Sequence, residues 1–433
     1  MRKVAARETD RSSISIACQD SLLRLVFSEP EGGALMKQAV IVIGCNYGDE
    51  GKGLAAAWSA RKMNTSCLNI LINGGAQRGH TVDLPDGSRH VFHHFGSASF
   101  AGADSYADED FIVNPLLYVQ EADELIGNFG LRPRLIISER CRVSTPYDMM
   151  LGQIIEENRG TNRHGSCGCG IQETRLRYMN TTWALPWGEL NQLSETNFRN
   201  YCHDIIEKYI PSRLNEMHME AGEKWLTLLH DEGVLIAAWR DLKEMIENTE
   251  SCSDWIQLGS LYSALIFETG QGLALDQDNA KDFPHLTPSH TTSLISAQRI
   301  AALPENVQTE ILYVTRSYYT RHGAGTLLTE CPREKINPTM EDHTNIPNPH
   351  QQFLRYGYFD GKAALSRVQS DLERTRAVLP EATAAVLITH LNETKGELCG
   401  DMPLSQFTSS FDRVYLSNCP WSADHSPIAA SPT

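Results

Sequence analysis

The chain has little of several things that would commit it to a function. It has no long apolar run: Ala39–Ile43 and Ala384–Ile388 are strand-sized, far short of the roughly 20 residues that span a membrane. It has no excess of positive charge. With 38 basic and 54 acidic residues its formal net charge is -16, which argues against a basic face for bulk nucleic-acid binding. Anionic small ligands stay open, because a phosphate site needs only local amides and a few cations. Its 11 cysteines have no regular spacing, so they form no disulfide framework, and a reducing cytoplasm is the expected setting. Cys167-Gly168-Cys169 is a close pair without a second pair near it, which reads as a glycine-rich loop rather than a zinc site. Residues 1–35 carry charges throughout and lack the apolar stretch of a signal peptide; they read as a mobile extension.

What is present describes a soluble α/β protein, 41% hydrophobic and 21% charged, with ample core for a single domain. Val40–Ile43 reads as a strand that enters a glycine loop, followed by a helix from about Lys52 to Lys62. "CLNILING", "SRHVFHHFGS" and "PRLIISER" read as further strands. Residues 197–265 have helical periodicity. "ALIFETGQG" returns to strand and loop, and Arg333–His350 reads as a long loop. A helix, "ALSRVQSDLERTRAV", and the strands "AAVLITHL" and "DRVYLSN" complete the pattern. With no internal repeat and no linker-like shift, residues 36–420 form one large domain around a mostly parallel sheet with helical insertions, and residues 421–433 a tail.

The stretch "VIVIGCNYGDEGKGLAAAW" (Val40–Trp58) almost repeats the common phosphate-binding loop. Asn46 stands at the first-glycine position and Gly53 at the hydroxyl position, while Gly51-Lys52 is kept. Phosphate cradling fits, and Asp49 is the natural ligand for a hard cation. The plainer alternative is a strand-to-helix turn whose acidic pair caps the helix. Four further loops follow strands: "INGGAQRGHTV", "GSCGCGIQET", "IFETGQGLALDQD" and "YTRHGAGTLLTE", with "HLTPSHTTS" between the last two.

Together these stretches resemble the adenylosuccinate synthetase family, which joins aspartate to inosine monophosphate at the expense of GTP. The family's Gly-Asp-Glu-Gly-Lys-Gly loop is Gly48–Gly53. Its Gly-Gly-x-Asn-Ala-Gly-His-Thr is similar to Gly74–Thr81, its Phe-Glu-Gly-Ala-Gln-Gly to Phe267–Gly272, and its Thr-Arg-Val-Gly-Ala-Gly to Thr320–Gly325, continuing to Thr329-Glu330. The resemblance implies a fold like that of the phosphate-loop NTPases and a homodimer, with Arg175 or Arg177 reaching across subunits. It implies that Asp49 takes the proton from N1 of a 6-oxopurine, that His80 is the acid partner and that Lys52 neutralises developing charge. Mg2+ would be held by Asp49 and the Gly79 carbonyl. The NTP phosphates would lie on Gly48, Glu50, Gly51, Lys52, Gly53, Gly79, His80 and Thr81. The substrate nucleotide would meet Gln77, Ser166, Cys167, Gln271, Thr292 and Gly323.

Two stretches depart from the family. Its aspartate loop, Thr-Thr-Gly-Arg-Arg-Arg-Arg-Thr-Gly-Trp-Leu-Asp, stands against Pro349–Asp360, where three of four arginines are Gln352, Phe353 and Leu354. Dicarboxylates need fork-like donors, so either another arginine serves (Arg355, Arg321, Arg316 or Arg333) or the amine is not aspartate. Its guanine-reading Thr-Lys-Leu-Asp is Thr389-His390-Leu391-Asn392 here. Asparagine matches an adenine edge better than a guanine edge, so His390 and Asn392 point to ATP rather than strict GTP use. Retention of Asp49 favours an inosine monophosphate-like acceptor, and the resemblance implies aspartate as the amine. The alternatives are another amine, a dGMP-type acceptor, or a purine-nucleotide sensor without ligase activity.

Overall fold

The computed structural model describes residues 36–340, 354–420 and 428–430. The expected extension 1–35, the aspartate-loop positions up to Phe353 and most of the expected tail lie outside the described residues.

Lys37–Gly44 is buried at all but one position. A strand apolar on both faces belongs inside a parallel sheet covered by helices on both sides. In chain order the main sheet contains β1 (Lys37–Gly44), β2 (Cys67–Leu71), β3 (Asp104–Ala107), β4 (Leu135–Ser138) and β5 (Glu250–Cys252). It continues with β6 (Ala264–Gly272), β7 (Val307–Arg316), β8 (Thr383–Thr389), β9 (Arg413–Ser417) and β10 (Ile428–Ala430). Across the sheet the order is β5-β4-β3-β2-β6-β1-β7-β8-β9-β10. Every neighbouring pair is parallel except the last, where β10 runs antiparallel to β9.

Two apolar layers cover the sheet. Ile41 and Ile43 join one, with Phe267, Tyr313 and Val386; Val40 and Val42 join the other, with Ala55, Ile266 and Leu387. The period-2 alternation of a strand puts these two sets on opposite faces. A third cluster gathers helices between β4 and β5 around Trp187, Trp225 and Leu242.

Three readings change in detail. "SRHVFHHFGS" is not a main-sheet strand: Arg89–Phe92 pairs antiparallel with His80–Asp83 in a separate ribbon. The connection turns at Pro85-Asp86-Gly87: the Gly87 N–H donates to the Leu84 carbonyl at 3.0 Å and Gly87 takes φ 85, as the glycine of a three-residue hairpin loop does. The helical stretch 197–265 is broken by β5, which extends the sheet beside β4. Ile428–Ala430, read as tail, pairs with Tyr415–Ser417.

Gly44 ends β1 level with Gly272 of β6 and Val314 of β7. The loops after these strands therefore leave one edge of the sheet, the carboxyl edge where α/β folds bind ligands. The expected glycine-loop helix, α1 (Lys52–Met63), starts there.

Candidate active site

The loop between β1 and α1 turns through three left-handed positions: Gly48 (φ 97), Asp49 (φ 53) and Gly51 (φ 95). Asp49 is the only one of the three with a side chain, and such a conformation is costly for it. Contacts hold it there. Arg316, at the end of β7, donates Nε–H to the Asp49 carbonyl and Nη1–H to the Tyr318 hydroxyl at 3.0 Å. The neighbouring carboxylate, Glu50, turns inward: it accepts from the Asn46 backbone N–H at 2.8 Å and from Asn46 Nδ2 at 3.0 Å. Burial pushes Glu50 up to about 7 against the pull of Lys52. Glu50 thus braces the loop from inside, whereas the Asp49 carboxylate stays partly open, 28% exposed.

His80 begins the ribbon strand beside α1. Its Nδ1 lies 2.5 Å from Glu268 Oε1 on β6. Glu268 also accepts from the Ser97 N–H at 3.0 Å and faces Arg78 at 3.5 Å. With Nδ1 donating to a carboxylate, Nε2 is the ring nitrogen left for a ligand. Burial pushes His80 down to about 4, against the pull of Glu268. α1 reaches this strand because Gly53 has no side chain: a Cβ there would stand 2.5 Å from the Thr81 carbonyl oxygen and 3.0 Å from the His80 carbonyl carbon.

Lys52 is buried, and burial lowers its affinity for a proton while Glu50, Asp49 and Glu268 raise it. Burial also pushes the Asp49 carboxyl up, but the hydrogen bond and charge of His322, then Arg316 and Lys52, outweigh it. The net result is an Asp49 well below the usual carboxylate range, ionised at neutral pH. A carboxylate, a lysine and a carboxylate-braced histidine at the ends of three elements make a site for charge-separating chemistry on phosphate.

These residues line one cavity of about 360 Å³. Of the sequence candidates it gathers Gly48, Asp49, Glu50, Gly51, Lys52, Gly53, Gly79, His80, Thr81, Gln271, His390 and Asn392. Sequence reasoning missed Arg78 and Tyr318 in its wall. Arg316, considered for the amine, lines this cavity instead. His390 sits in the left-handed region at φ 60, with Nδ1 2.8 Å from the Thr389 hydroxyl, and that hydroxyl reaches the Glu50 carbonyl at 3.0 Å. Burial, reinforced by Arg316, holds His390 well below its ordinary range.

A comparison with protein families matches residues 41–383 to adenylosuccinate synthetase. The chain belongs to the adenylosuccinate synthetase family. That family consists of ligases that form carbon–nitrogen bonds in purine biosynthesis, and this chain is a divergent member. It is 28% identical over 340 residues to adenylosuccinate synthetase of Chromohalobacter salexigens, covering 77% of this chain and 74% of the relative. The corresponding enzyme of Bordetella avium is 25% identical over 339 residues, with the same coverage. Two solved structures share the fold. Fully ligated adenylosuccinate synthetase from Plasmodium falciparum superimposes with a TM-score of 0.62 at 19% identity, covering 82% of this chain and 77% of that one. The succinoaminodeoxyadenylate synthetase of cyanophage S-2L, bound to dGMP and dATP, gives 0.57 at 14% identity, covering 92% and 96%.

The remaining candidates lie outside the cavity. Gln77 folds back over Gly74, whose Cβ would meet its Nε2 at 3.1 Å. Ser166 is exposed, Cys167 half-buried and Thr292 buried. Gly323 packs on the loop that carries Ser166, its Cβ position 3.2 Å from the His164 carbonyl oxygen. Arg321 is 1% exposed and donates to the carbonyls of Thr326 at 2.7 Å and His285 at 2.9 Å. Arg355 forms a two-pronged pair with Glu330 and donates to the Gly325 carbonyl at 2.7 Å. Arg177 is fully buried on Asp148, both contacts at 2.8 Å. It is therefore not available to a second subunit. Among the described residues, no helix is long and apolar enough to cross a membrane.

Proposed function

We propose that this family member phosphorylates O6 of a 6-oxopurine nucleotide with an NTP and then replaces that phosphate with an amine. The observation that carries the reading is the convergence of Asp49, Lys52 and His80 on one cavity. Ionised Asp49 accepts the N1 proton of the acceptor, and O6 attacks the γ-phosphorus while the bond to the β–γ bridging oxygen breaks. Lys52 and His80 stabilise the charge that spreads over the moving phosphoryl group. The amine nitrogen then adds at C6, orthophosphate leaves, and the amine gives up a proton. Asp49 and Gly79 line the same cavity, and a carboxylate and a backbone carbonyl are hard oxygen donors that fit Mg2+. When bound, the ion supplies charge neutralisation between the phosphates.

The acceptor is inosine monophosphate-like, since Asp49 is retained, and aspartate is the family's amine. Asn392 in the cavity wall supports ATP as donor. A second reading, a nucleotide sensor without an amine site, draws on Arg321 and Arg355, both committed to the protein's own carbonyls and to Glu330.

Phosphate release with magnesium tests these readings, pairing ATP or GTP with inosine or deoxyguanosine monophosphate and a panel of amino acids. Release that needs aspartate supports the leading reading. Release with another amine moves the donor assignment. Nucleotide binding without release under any pairing sinks the ligase and leaves the sensor.

A further inference from the structure

Asp49 has a partner that the family pattern does not supply. Where that pattern reads Thr-Arg-Val-Gly-Ala-Gly, this chain has histidine at position 322, and His322 Nε2 lies 2.7 Å from Asp49 Oδ2. The two side chains are 29% and 28% exposed. They meet at the rim of the site rather than in the core. Asp49 lines the 360 Å³ cavity, and His322 is not among the residues of its wall.

The backbone beneath His322 is held on both flanks. Arg321 ties its own strand to the Thr326 and His285 carbonyls. Arg355 draws in the Gly323 carbonyl at 3.2 Å and the Gly325 carbonyl at 2.7 Å. Gly323, at φ 69, packs on the backbone of His164 and Gly165. Two arginines that look like amine-site candidates thus serve as struts for the loop that carries His322. The Asp49 main chain is fixed from the other direction by Arg316.

We infer that His322 is a positioning residue for Asp49. Its Nε2–H occupies Oδ2 and fixes the plane of the carboxylate, so that Oδ1 is the oxygen presented to the proton on N1 of the acceptor. A carboxylate oriented by one hydrogen bond loses little freedom when it engages its substrate, whereas valine at this position would leave the rotation about Cβ–Cγ unconstrained. The inference rests on the proposed O6 phosphorylation, and the test separates the two.

The test is positional isotope exchange in [γ-18O]ATP with magnesium and inosine monophosphate, without amine, which reports reversible phosphoryl transfer alone. The wild-type chain is compared with His322→Val and His322→Gln, and each variant is checked by its melting curve and by binding of a fluorescent ATP analogue. Valine is expected to slow exchange about 10–100-fold, the usual effect of removing an orienting partner, with the KM values for ATP and inosine monophosphate within about twofold of wild type. Glutamine, a neutral donor of similar reach, is expected to restore most of the rate. Exchange unchanged or faster in His322→Val, a loss confined to KM, or glutamine no better than valine would each overturn the inference. Absence of exchange in the wild-type chain would instead overturn the proposed function.

Discussion

Two histidine–carboxylate pairs serve the site, and they work in opposite senses. In the interior pair, Glu268 is wholly buried and His80 6% exposed; the carboxylate orients the imidazole and the imidazole meets the ligand. In the rim pair, His322 and Asp49 are both more than a quarter exposed; the imidazole orients the carboxylate and the carboxylate meets the ligand. The difference lies in what surrounds each. Glu268 is enclosed by Ser97 and Arg78, so it cannot ionise without partners and cannot lose one cheaply. Asp49 borders open space and is free to exchange its contacts for a substrate proton or a cation.

Breaking the interior pair has the largest expected effect. Glu268→Gln leaves Arg78 facing a neutral amide inside the core and is expected to cost about 3–5 kcal/mol of stability, measured by urea unfolding, as well as nearly all activity. Asp49→Asn separates the pairs most cleanly. It is expected to slow phosphoryl transfer about 10²–10⁴-fold while the melting temperature stays within a few degrees, because a side chain at the rim of the site carries little of the fold. A melting drop like that of Glu268→Gln would refute the distinction between core and rim. Gly53→Ala tests the spacing between them. Its methyl group would push α1 from the His80 strand and cost about 1–3 kcal/mol, with loss of ATP affinity in equilibrium titration.

Two smaller changes act farther from the chemistry. Asn392→Asp is expected to shift the ratio of GTP to ATP use about tenfold toward GTP; an unchanged ratio in competition assays would remove Asn392 from base reading. Glu330→Gln releases Arg355 from an exposed pair, with a stability change of only about 0.2–1 kcal/mol. If Arg355 serves the amine, the KM for aspartate should fall. If it is solely a strut for the 323–325 loop, that KM should stay put.

The glycine-rich loops, the buried strand before the first of them and the helix after it were legible because each leaves a local signature. β7, whose "EILYVT" is as apolar as β1, was implied as the strand before the loop "YTRHGAGTLLTE", although its bounds were not drawn. β3 is a four-residue piece, "DSYA", with no alternation to find. The partners of the catalytic candidates were not legible. His80 and Glu268 are 188 positions apart, and nothing in "IFETG" says that its glutamate braces a histidine rather than a helix. Arg321 and Arg355 illustrate the reverse error: an arginine near a ligand motif suggests anion binding, and only the fold shows these two turned toward carbonyls.

The place of β1 in the sheet bears on how the protein comes to be active at all. Among the described residues β1 is the first main-sheet strand to be synthesised, yet its neighbours are β6 and β7, which emerge after more than half the chain. Loop closure over such a separation is slow, and until it happens both edges of an apolar strand stand unpaired, an invitation to aggregation or chaperone capture. A nascent chain stalled before Val307 could make its nucleotide loop but could not hold it in shape. Ribosome-bound intermediates of increasing length should therefore gain ATP binding in one late step, once β7 has cleared the exit tunnel.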